Sequence, residues 1–207
     1  MNPMIFSRQD IIAQQNNKDA IYYLKKSLKI DPKNKFTLNN LGLVEMEMSN
    51  YENAISFFKE AILVDNNFKL AHYNLGIIYL LKENYSLGWQ KYEFRSSKLN
   101  NPDITLNNNQ WDGSDLKRKN LLIICEQGIG DTVQFIRYIS LIRKNQTKIF
   151  LLIKEKFISL FKNIVEVDKI FYSLDELYQF DYYIHLMSLP NIFKNIKETP
   201  SPINFFK

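Results

Sequence analysis

The first half of the chain repeats itself every 34 residues. The triplet Asn-Leu-Gly at 40–42 returns at 74–76, and Asn-Tyr at 50–51 returns at 84–85. The same offset relates Ala20 to Ala54 and to Gly88. A period of this length is typical of one helical hairpin per repeat, and such hairpins bury their apolar faces only by stacking on one another. The repeat therefore predicts an N-terminal array of stacked helical hairpins.

The repeated positions resemble the tetratricopeptide pattern. Small residues let two antiparallel helices approach closely, and large residues fill the groove between neighbouring hairpins. The small contacts are predicted at Gly42, Ala54, Ala61 and Gly76, and the large ones at Leu41, Phe58, Leu75, Tyr79 and Tyr92. The predicted repeats are 1–34, 35–68 and 69–100, and the first lacks the Leu-Gly signature in its opening helix.

An array of hairpins exposes a concave face that often binds peptides. Asn39, Asn40 and Asn74 are the candidate peptide-binding residues, since an amide side chain can hydrogen-bond an extended backbone. These asparagines are equally compatible with solvated polar positions. Stacking alone also accounts for every repeated residue, so a purely structural role for the array stays open.

Composition limits the classes of protein to which the chain can belong. Of the 207 residues 45% are hydrophobic, which is ample for packed cores, and the net charge of +5 is spread along the chain instead of gathered in basic blocks. We therefore expect no nucleic-acid partner. The apolar runs are far shorter than a membrane span, and the single cysteine, Cys125, cannot form an intramolecular disulfide. These features favour a cytoplasmic protein without a membrane span.

Residues 101–119 are predicted to be a linker, because asparagine and other turn-forming residues replace the periodic pattern there. Trp111 interrupts this segment, and a flexible linker would not need such an aromatic. We interpret Trp111 as packing the linker against one of the two domains.

The last part of the chain, 120–207, alternates strand-like and helix-like runs. Strands are predicted at 121–125, 148–153, 169–172 and 181–184, and helices at 132–145 and 157–164. This alternation is typical of a doubly wound parallel sheet. The chain is thus expected to be α+α/β, with tetratricopeptide hairpins followed by a partial Rossmann-like domain about half the usual size.

The turn Gly128-Ile129-Gly130-Asp131 follows the first predicted strand and is the segment most suggestive of chemistry. Ligands collect at the carboxyl edge of open α/β sheets, and glycines allow a close approach of the backbone. Asp131 is predicted to be either the N-cap of the next helix, bonded to the N–H of Val133 or Gln134, or a general base. The turn lacks the third glycine of a dinucleotide fingerprint and the Gly-Lys-Ser/Thr of a phosphate loop.

Four segments, in order, resemble bacterial tetratricopeptide-repeat proteins fused to a glycosyltransferase-like, heptosyltransferase-related domain. They are the Gly-Trp-x-x-Tyr-Glu-x-Arg run at 88–95, Trp-Asp-Gly at 111–113, the thirteen residues at 126–138, and Met-Ser-Leu-Pro at 187–190. The resemblance implies a two-Rossmann architecture in which the acceptor-binding fold comes first and the sugar-nucleotide-binding fold second. This chain looks like the first part only, so we expect no cofactor in it and no turnover without a C-terminal half.

The resemblance also implies roles for individual residues. The aspartate of the Gly-Asp pair, here Asp131, would be the base that activates the acceptor hydroxyl. The candidate substrate-binding residues are Gly128, Gly130, Gln134 and Arg137. Gln134 and Arg137 would meet an acceptor phosphate or carboxylate, or would only cover the sheet edge. Glu126 would orient the turn. His185 departs from the proline common near that position, and we interpret it as an incidental edge residue. The competing hypothesis is a non-catalytic scaffold that binds a protein partner through its hairpin groove.

Overall fold

A computed structural model describes residues 8–95, 109–142, 147–164, 166–173, 180–195 and 200. The chain divides into two compact units, Met1–Ser96 and Ser97–Lys207. The first is helical in its described part, and the second is built on a parallel sheet. The predicted α+α/β class is therefore confirmed.

The repeat unit contains five described helices. They are α1 (Arg8–Ile30), α2 (Lys35–Glu47), α3 (Tyr51–Val64), α4 (Lys69–Leu81) and α5 (Tyr85–Tyr92). Helices α2 and α3 pack as one hairpin within residues 35–68, and α4 and α5 as the next within 69–100. Asn34 and Asn84 cap α2 and α5, because their side chains accept from the backbone N–H of Thr37 and Leu87.

The first predicted repeat is not a hairpin over its described residues, and that part of the prediction is wrong. In the two complete hairpins the turn between helices carries a residue in the left-handed region, Ser49 with φ 61° and Glu83 with φ 58°. The equivalent position, 15, lies inside the continuous helix α1. Neither glycine nor proline occurs between 8 and 30 to end that helix, so it continues without interruption.

Seven of the nine predicted small and large positions of the repeats are buried, and Tyr79 and Tyr92 are half-buried. Ala54, Phe58 and Ala61 are fully buried, and a Cβ atom added at Gly42 would lie 2.5 Å from the Phe58 ring. At Gly76 the added atom would lie 2.9 Å from the backbone nitrogen of Tyr92. Both glycines thus hold helices closer together than any side chain would permit.

The second unit contains five strands in one parallel sheet. They are β1 (Asn109–Gln110), β2 (Asn120–Ile124), β3 (Lys148–Leu152), β4 (Lys169–Phe171) and β5 (Tyr182–His185), and their order in the sheet is β1-β5-β2-β3-β4. The four predicted strands agree with β2 to β5 to within one residue. The sequence did not predict β1, which lies inside the predicted linker.

The described part of that linker, 109–119, belongs to the α/β unit. Strand β1 pairs with β5, and the backbone N–H of Trp111 donates to the carbonyl of Tyr183 at 2.8 Å. The Trp111 side chain is buried in the core of this unit, and its Nε1 donates to the carbonyl of Ser114 at 2.8 Å. Residues 101–108 of the predicted linker lie outside the described residues.

Short helices connect the strands. Helix α6 (Ile129–Phe135) continues as a 3-10 helix (Ile136–Leu141), a second 3-10 helix (Glu155–Phe157) leads into α7 (Ile158–Phe161), and a third (Leu186–Ser188) leads into α8 (Leu189–Ile192). These helices pack on one face of the sheet, around Leu121, Ile123 and Ile149. The other face carries a second buried apolar cluster that includes Leu122, Phe150 and Phe171.

Two aspartates hold the starts of neighbouring strands in register. Asp181, just before β5, accepts from the backbone N–H of Asn120 at 2.8 Å, and Asp168, just before β4, accepts from that of Ile149 at 2.8 Å. The hydrogen bond from Asn120, with a smaller contribution from Lys119, lowers the pKa of Asp181. Sequence patterns alone did not indicate either contact.

Candidate functional site

The strand order places the Gly-Ile-Gly-Asp turn at a reversal in the sheet. From β2 the chain proceeds to β3 and β4 on one side, and then crosses to β5 on the other side of β2. In open α/β sheets the crevice at the carboxyl ends of the two strands that flank such a reversal is where ligands bind. Here these strands are β2 and β5, and the turn at 128–131 follows β2 directly.

Helix α6 begins three residues earlier than the sequence indicated, and the predicted N-cap role of Asp131 is wrong. Gly128 is the N-cap, in an extended conformation with φ −69° and ψ 170°, and Asp131 lies within the first turn of the helix. Ile129 packs against the core, which draws the start of the helix forward. The backbone N–H and the hydroxyl of Thr132 both donate to the Gly128 carbonyl, each at 3.0 Å.

The Asp131 carboxylate is half-buried at this edge. Among the hydrogen bonds and ion pairs of the described residues, none engages its side chain. An ionised carboxylate that no protein donor occupies can accept a proton from a bound ligand.

The two glycines of the turn are not required by the fold. Neither has a positive φ, and a Cβ atom added at Gly130 would meet nothing within 4 Å. At Gly128 the nearest atom would be Asp131 Oδ2 at 3.7 Å, an ordinary contact. The backbone here is exposed, so an approaching molecule can reach it without meeting a side chain.

The two predicted acceptor-binding side chains have different surroundings. Gln134 is exposed on α6, on the same helix as Asp131. The Arg137 guanidinium donates from Nε and Nη2 to the carbonyl of Pro200, at 3.2 and 2.6 Å. That contact spans 63 residues of sequence and could not be inferred from local pattern. Arg137 therefore anchors a distant part of the chain in this structure.

Cys125 and Glu126 join β2 to the turn. Burial raises the pKa of the Cys125 thiol far above its usual range, and the Glu126 charge acts in the same direction. The thiol therefore stays protonated and is not a nucleophile. The Glu126 atom Oε2 is shielded from solvent.

His185 is the last residue of β5 and pairs in register with Ile124 of β2. Its ring lies edge-on to that of Tyr183, with centroids 6.1 Å apart. The 3-10 helix that follows it contacts α6. His185 and the Gly-Ile-Gly-Asp turn thus lie at the ends of the same two strands, which the sequence alone did not indicate.

The three candidate peptide-binding asparagines fall into two environments. Asn39 and Asn74 are buried, and Asn74 Nδ2 donates to Asn39 Oδ1 at 3.0 Å across the two hairpins. Asn40 is exposed. The buried pair joins one repeat to the next, whereas Asn40 is available to a partner.

The described residues contain neither a metal site nor a membrane span. No group of three or more histidine, cysteine or acidic side chains is arranged to hold a metal ion in the described ranges. Every helix within those ranges is too short or too polar to cross a bilayer.

Comparison with known proteins identifies the repeat but no whole-chain relative. The tetratricopeptide repeat family model matches residues 37–68, which comprise α2 and α3. No curated protein matches the sequence.

Among solved structures, one similar chain is a mutant of the O-GlcNAc transferase of Thermobaculum terrenum. The alignment has 14% identity and a TM-score of 0.36, and it covers 84% of this chain and 43% of that chain. This chain thus spans less than half the length of that transferase, and a TM-score this low does not establish a common fold. What the family model establishes is that the N-terminal unit contains a tetratricopeptide repeat.

Proposed function

We propose that this chain combines a protein-interaction module, the tetratricopeptide hairpins, with the acceptor-binding half of a glycosyltransferase-like protein. The observation that carries the second part is the Asp131 carboxylate, which lies at a reversal in strand order and has no partner among the described residues. The heptosyltransferase-like resemblance of residues 126–138 assigns the same residue as the base.

In the proposed reaction Asp131 accepts the proton of an acceptor hydroxyl while that oxygen attacks the anomeric carbon of a sugar nucleotide. The bond between the anomeric carbon and the diphosphate breaks, and the nucleoside diphosphate leaves with the electron pair. The exposed glycine backbone lets the acceptor approach the carboxylate. The sugar nucleotide would be held by a second Rossmann-like domain, because donor and acceptor must be positioned together for transfer.

Replacing Asp131 with Asn tests the base role in a protein that includes the second domain. We expect the transfer rate to fall about 10²–10⁴-fold, since Asn cannot accept the proton, while the unfolding midpoint stays close to that of the parent. The matched control is Asp115→Asn. Asp115 accepts a backbone bond from Lys117 in an exposed turn, and an amide oxygen can replace that contact. Equal transfer rates for the Asp131 variant and the parent would rule out the base role.

The second candidate function is a non-catalytic scaffold that binds a protein or peptide through the repeats. The match of the tetratricopeptide model to 37–68 favours it. Here Asn40, exposed on α2, is the residue to replace, whereas Asn39 and Asn74 hold the repeats together. If Asn40→Ala abolishes capture of a partner and Asp131→Asn changes nothing, the scaffold function is supported over the transferase.

A further inference from the structure

We propose that the chain associates with a second copy of itself, in antiparallel orientation, through an uncovered flank of helix α1. The flank is formed by Ala20, Tyr23, Ser27 and Ile30. This inference goes beyond the proposed function, because it requires neither an acceptor nor a peptide bound to the repeats. It starts from the finding that α1 is one continuous helix where a hairpin was expected.

Helix α3 shows how the corresponding flank is covered in a complete hairpin. The 34-residue offset of the repeats relates the second half of α1 to α3. Helix α3 packs against two neighbours, α2 in its own hairpin and α4 in the next. Helix α1 packs against α2 as α3 packs against α4. Among the described helices, none gives α1 the hairpin partner that α2 gives to α3.

The small residues of the flank are less covered than their counterparts in α3. Ala54 and Ala61 are fully buried in the core of the repeats. The equivalent residues of α1, Ala20 and Ser27, are half-buried. Small residues at these positions let the two helices of a hairpin approach closely. Helix α1 therefore has the surface of a hairpin helix and room for a helix to cover it.

The large residues of the flank differ from their counterparts in the same direction. Tyr23 is 67% exposed, although its counterpart Phe57 packs against the core of the repeats. Ile30 is 87% exposed, whereas its counterpart Val64 is 41% exposed. Large apolar residues that share one exposed side of a helix mark an interaction surface.

The spacing of the flank residues fits a helix as the partner. Positions 16, 20, 23, 27 and 30 alternate steps of four and three residues, which is the spacing of the seam in a coiled coil. In an antiparallel pair, Ala20 of each copy faces Tyr23 of the other, so that a small residue receives a large one. Asn16 likewise faces Ser27, and both are polar. The hairpin helices α2 and α3 also pack as an antiparallel pair.

Charges beside the seam identify the partner as a second copy. Asp19 and Lys26 lie one heptad apart along the same border of the seam, whereas Leu28, on the other side, packs against the core of the repeats. Antiparallel pairing sets Asp19 of one copy beside Lys26 of the other, and the two-fold symmetry repeats this contact. Opposite charges meet at both places, so the flank is electrostatically complementary to itself.

The first test measures the oligomeric state of the full chain by sedimentation equilibrium. A concentration series from about 1 µM to about 1 mM includes the dissociation constants of weak dimers. We expect a reversible dimer, and we expect Tyr23→Glu to raise its dissociation constant at least about tenfold, because two central aromatic contacts are lost and two carboxylates are buried. The matched control is Tyr22→Glu. Tyr22 is 55% exposed and lies outside the seam, so its replacement should leave the dimer intact.

The second test asks whether the partner is an antiparallel copy. Asp19→Lys and Lys26→Asp each place like charges together at both contacts, and each should raise the dissociation constant about two- to tenfold. An equimolar mixture of the two variants has opposite charges at both contacts again. We therefore expect the mixture to associate about as tightly as the parent. Far-UV circular dichroism and the unfolding midpoint show that each variant is folded.

Several results would overturn the inference. A parent chain that stays monomeric at the highest concentration shows that the flank does not bind a second copy. Equal effects of Tyr22→Glu and Tyr23→Glu on a dimer place the contact elsewhere. If Tyr23→Glu weakens the dimer but the mixture of charge variants does not regain association, the antiparallel pairing of Asp19 with Lys26 is wrong.

Discussion

The repeat unit and the α/β unit each carry a glycine within a helix, Gly42 in α2 and Gly130 in α6, and the surroundings of the two are opposite. A Cβ atom at Gly42 would lie 2.5 Å from the buried Phe58 ring, whereas one at Gly130 would meet nothing within 4 Å. Packing explains the first glycine and leaves the second unexplained. Gly130 is therefore a residue whose replacement tests the proposed approach of an acceptor to the backbone.

The largest effect on folding is expected from Gly42→Ala. The added methyl group clashes with a fully buried ring, and overpacking of this kind costs about 1–3 kcal/mol of unfolding free energy. Because the chain has one tryptophan in each unit, Trp89 and Trp111, denaturant unfolding of the repeat unit can be followed by Trp89 fluorescence in a Trp111→Phe background. Unchanged stability would show that the two helices can separate without cost.

A somewhat smaller loss, about 1–2 kcal/mol, is expected for Asn74→Ala. It leaves the buried Asn39 Oδ1 without its donor, and an unsatisfied buried acceptor costs more than the bond itself contributes. The matched control is Asn40→Ala, at an exposed position on the same helix as Asn39, where stability should not change. Equal effects at the two positions would contradict the assignment of Asn74 to repeat packing.

Gly130→Ala is expected to stabilise the protein, in contrast to the two substitutions above. Alanine is favoured over glycine inside a helix, so we expect the unfolding free energy to rise by up to about 1 kcal/mol, measured by Trp111 fluorescence. At the same time the methyl group should hinder the approach of the acceptor, so the transfer rate of a protein that includes the second domain should fall. A loss of stability would mean that the fold itself requires this glycine.

The smallest expected effect is on the pH dependence of stability, through the carboxyl group of Asp181. Its pKa is lowered in the folded protein by the backbone hydrogen bond from Asn120 and by Lys119, so its contribution is present above the unfolded value of about 3.9. That contribution is lost as the pH falls through the folded pKa. Asp181→Asn should therefore show a shallower decline in stability than the parent below about pH 4. Parallel stability curves for the two proteins would contradict this linkage.

The local structure of the candidate site was predictable from the sequence, whereas its distant contacts were not. The position of the Gly-Ile-Gly-Asp turn between a strand and a helix was predicted because glycines at such a boundary are visible in a short window. The N-cap role of Asp131 failed because Ile129 packs in the core and draws the helix start to Gly128. Arg137 was expected at a ligand, but it holds the Pro200 carbonyl far along the chain.

In the fold, too, features with a local sequence pattern were predicted and features without one were missed. The 34-residue period identified the hairpins at 35–68 and 69–100, and the apolar runs identified β2 to β5. The continuous helix α1 and the two-residue strand β1 were missed. Helix α1 was missed because a 34-residue period does not show whether a turn divides the repeat into two helices. Strand β1 was missed because two residues are too few to produce an alternating pattern.

By itself the sequence determined helices α2 to α5, strands β2 to β5 and the glycine-rich turn, because these features depend on neighbouring residues. Tertiary structure alone decided the order β1-β5-β2-β3-β4, and with it the pairing of His185 at the end of β5 with Ile124 at the end of β2. Strand order depends on pairing between segments about 60 residues apart, as the contacts of Asp181 with Asn120 show. No local pattern records such pairing, since its free energy arises only when the sheet is assembled.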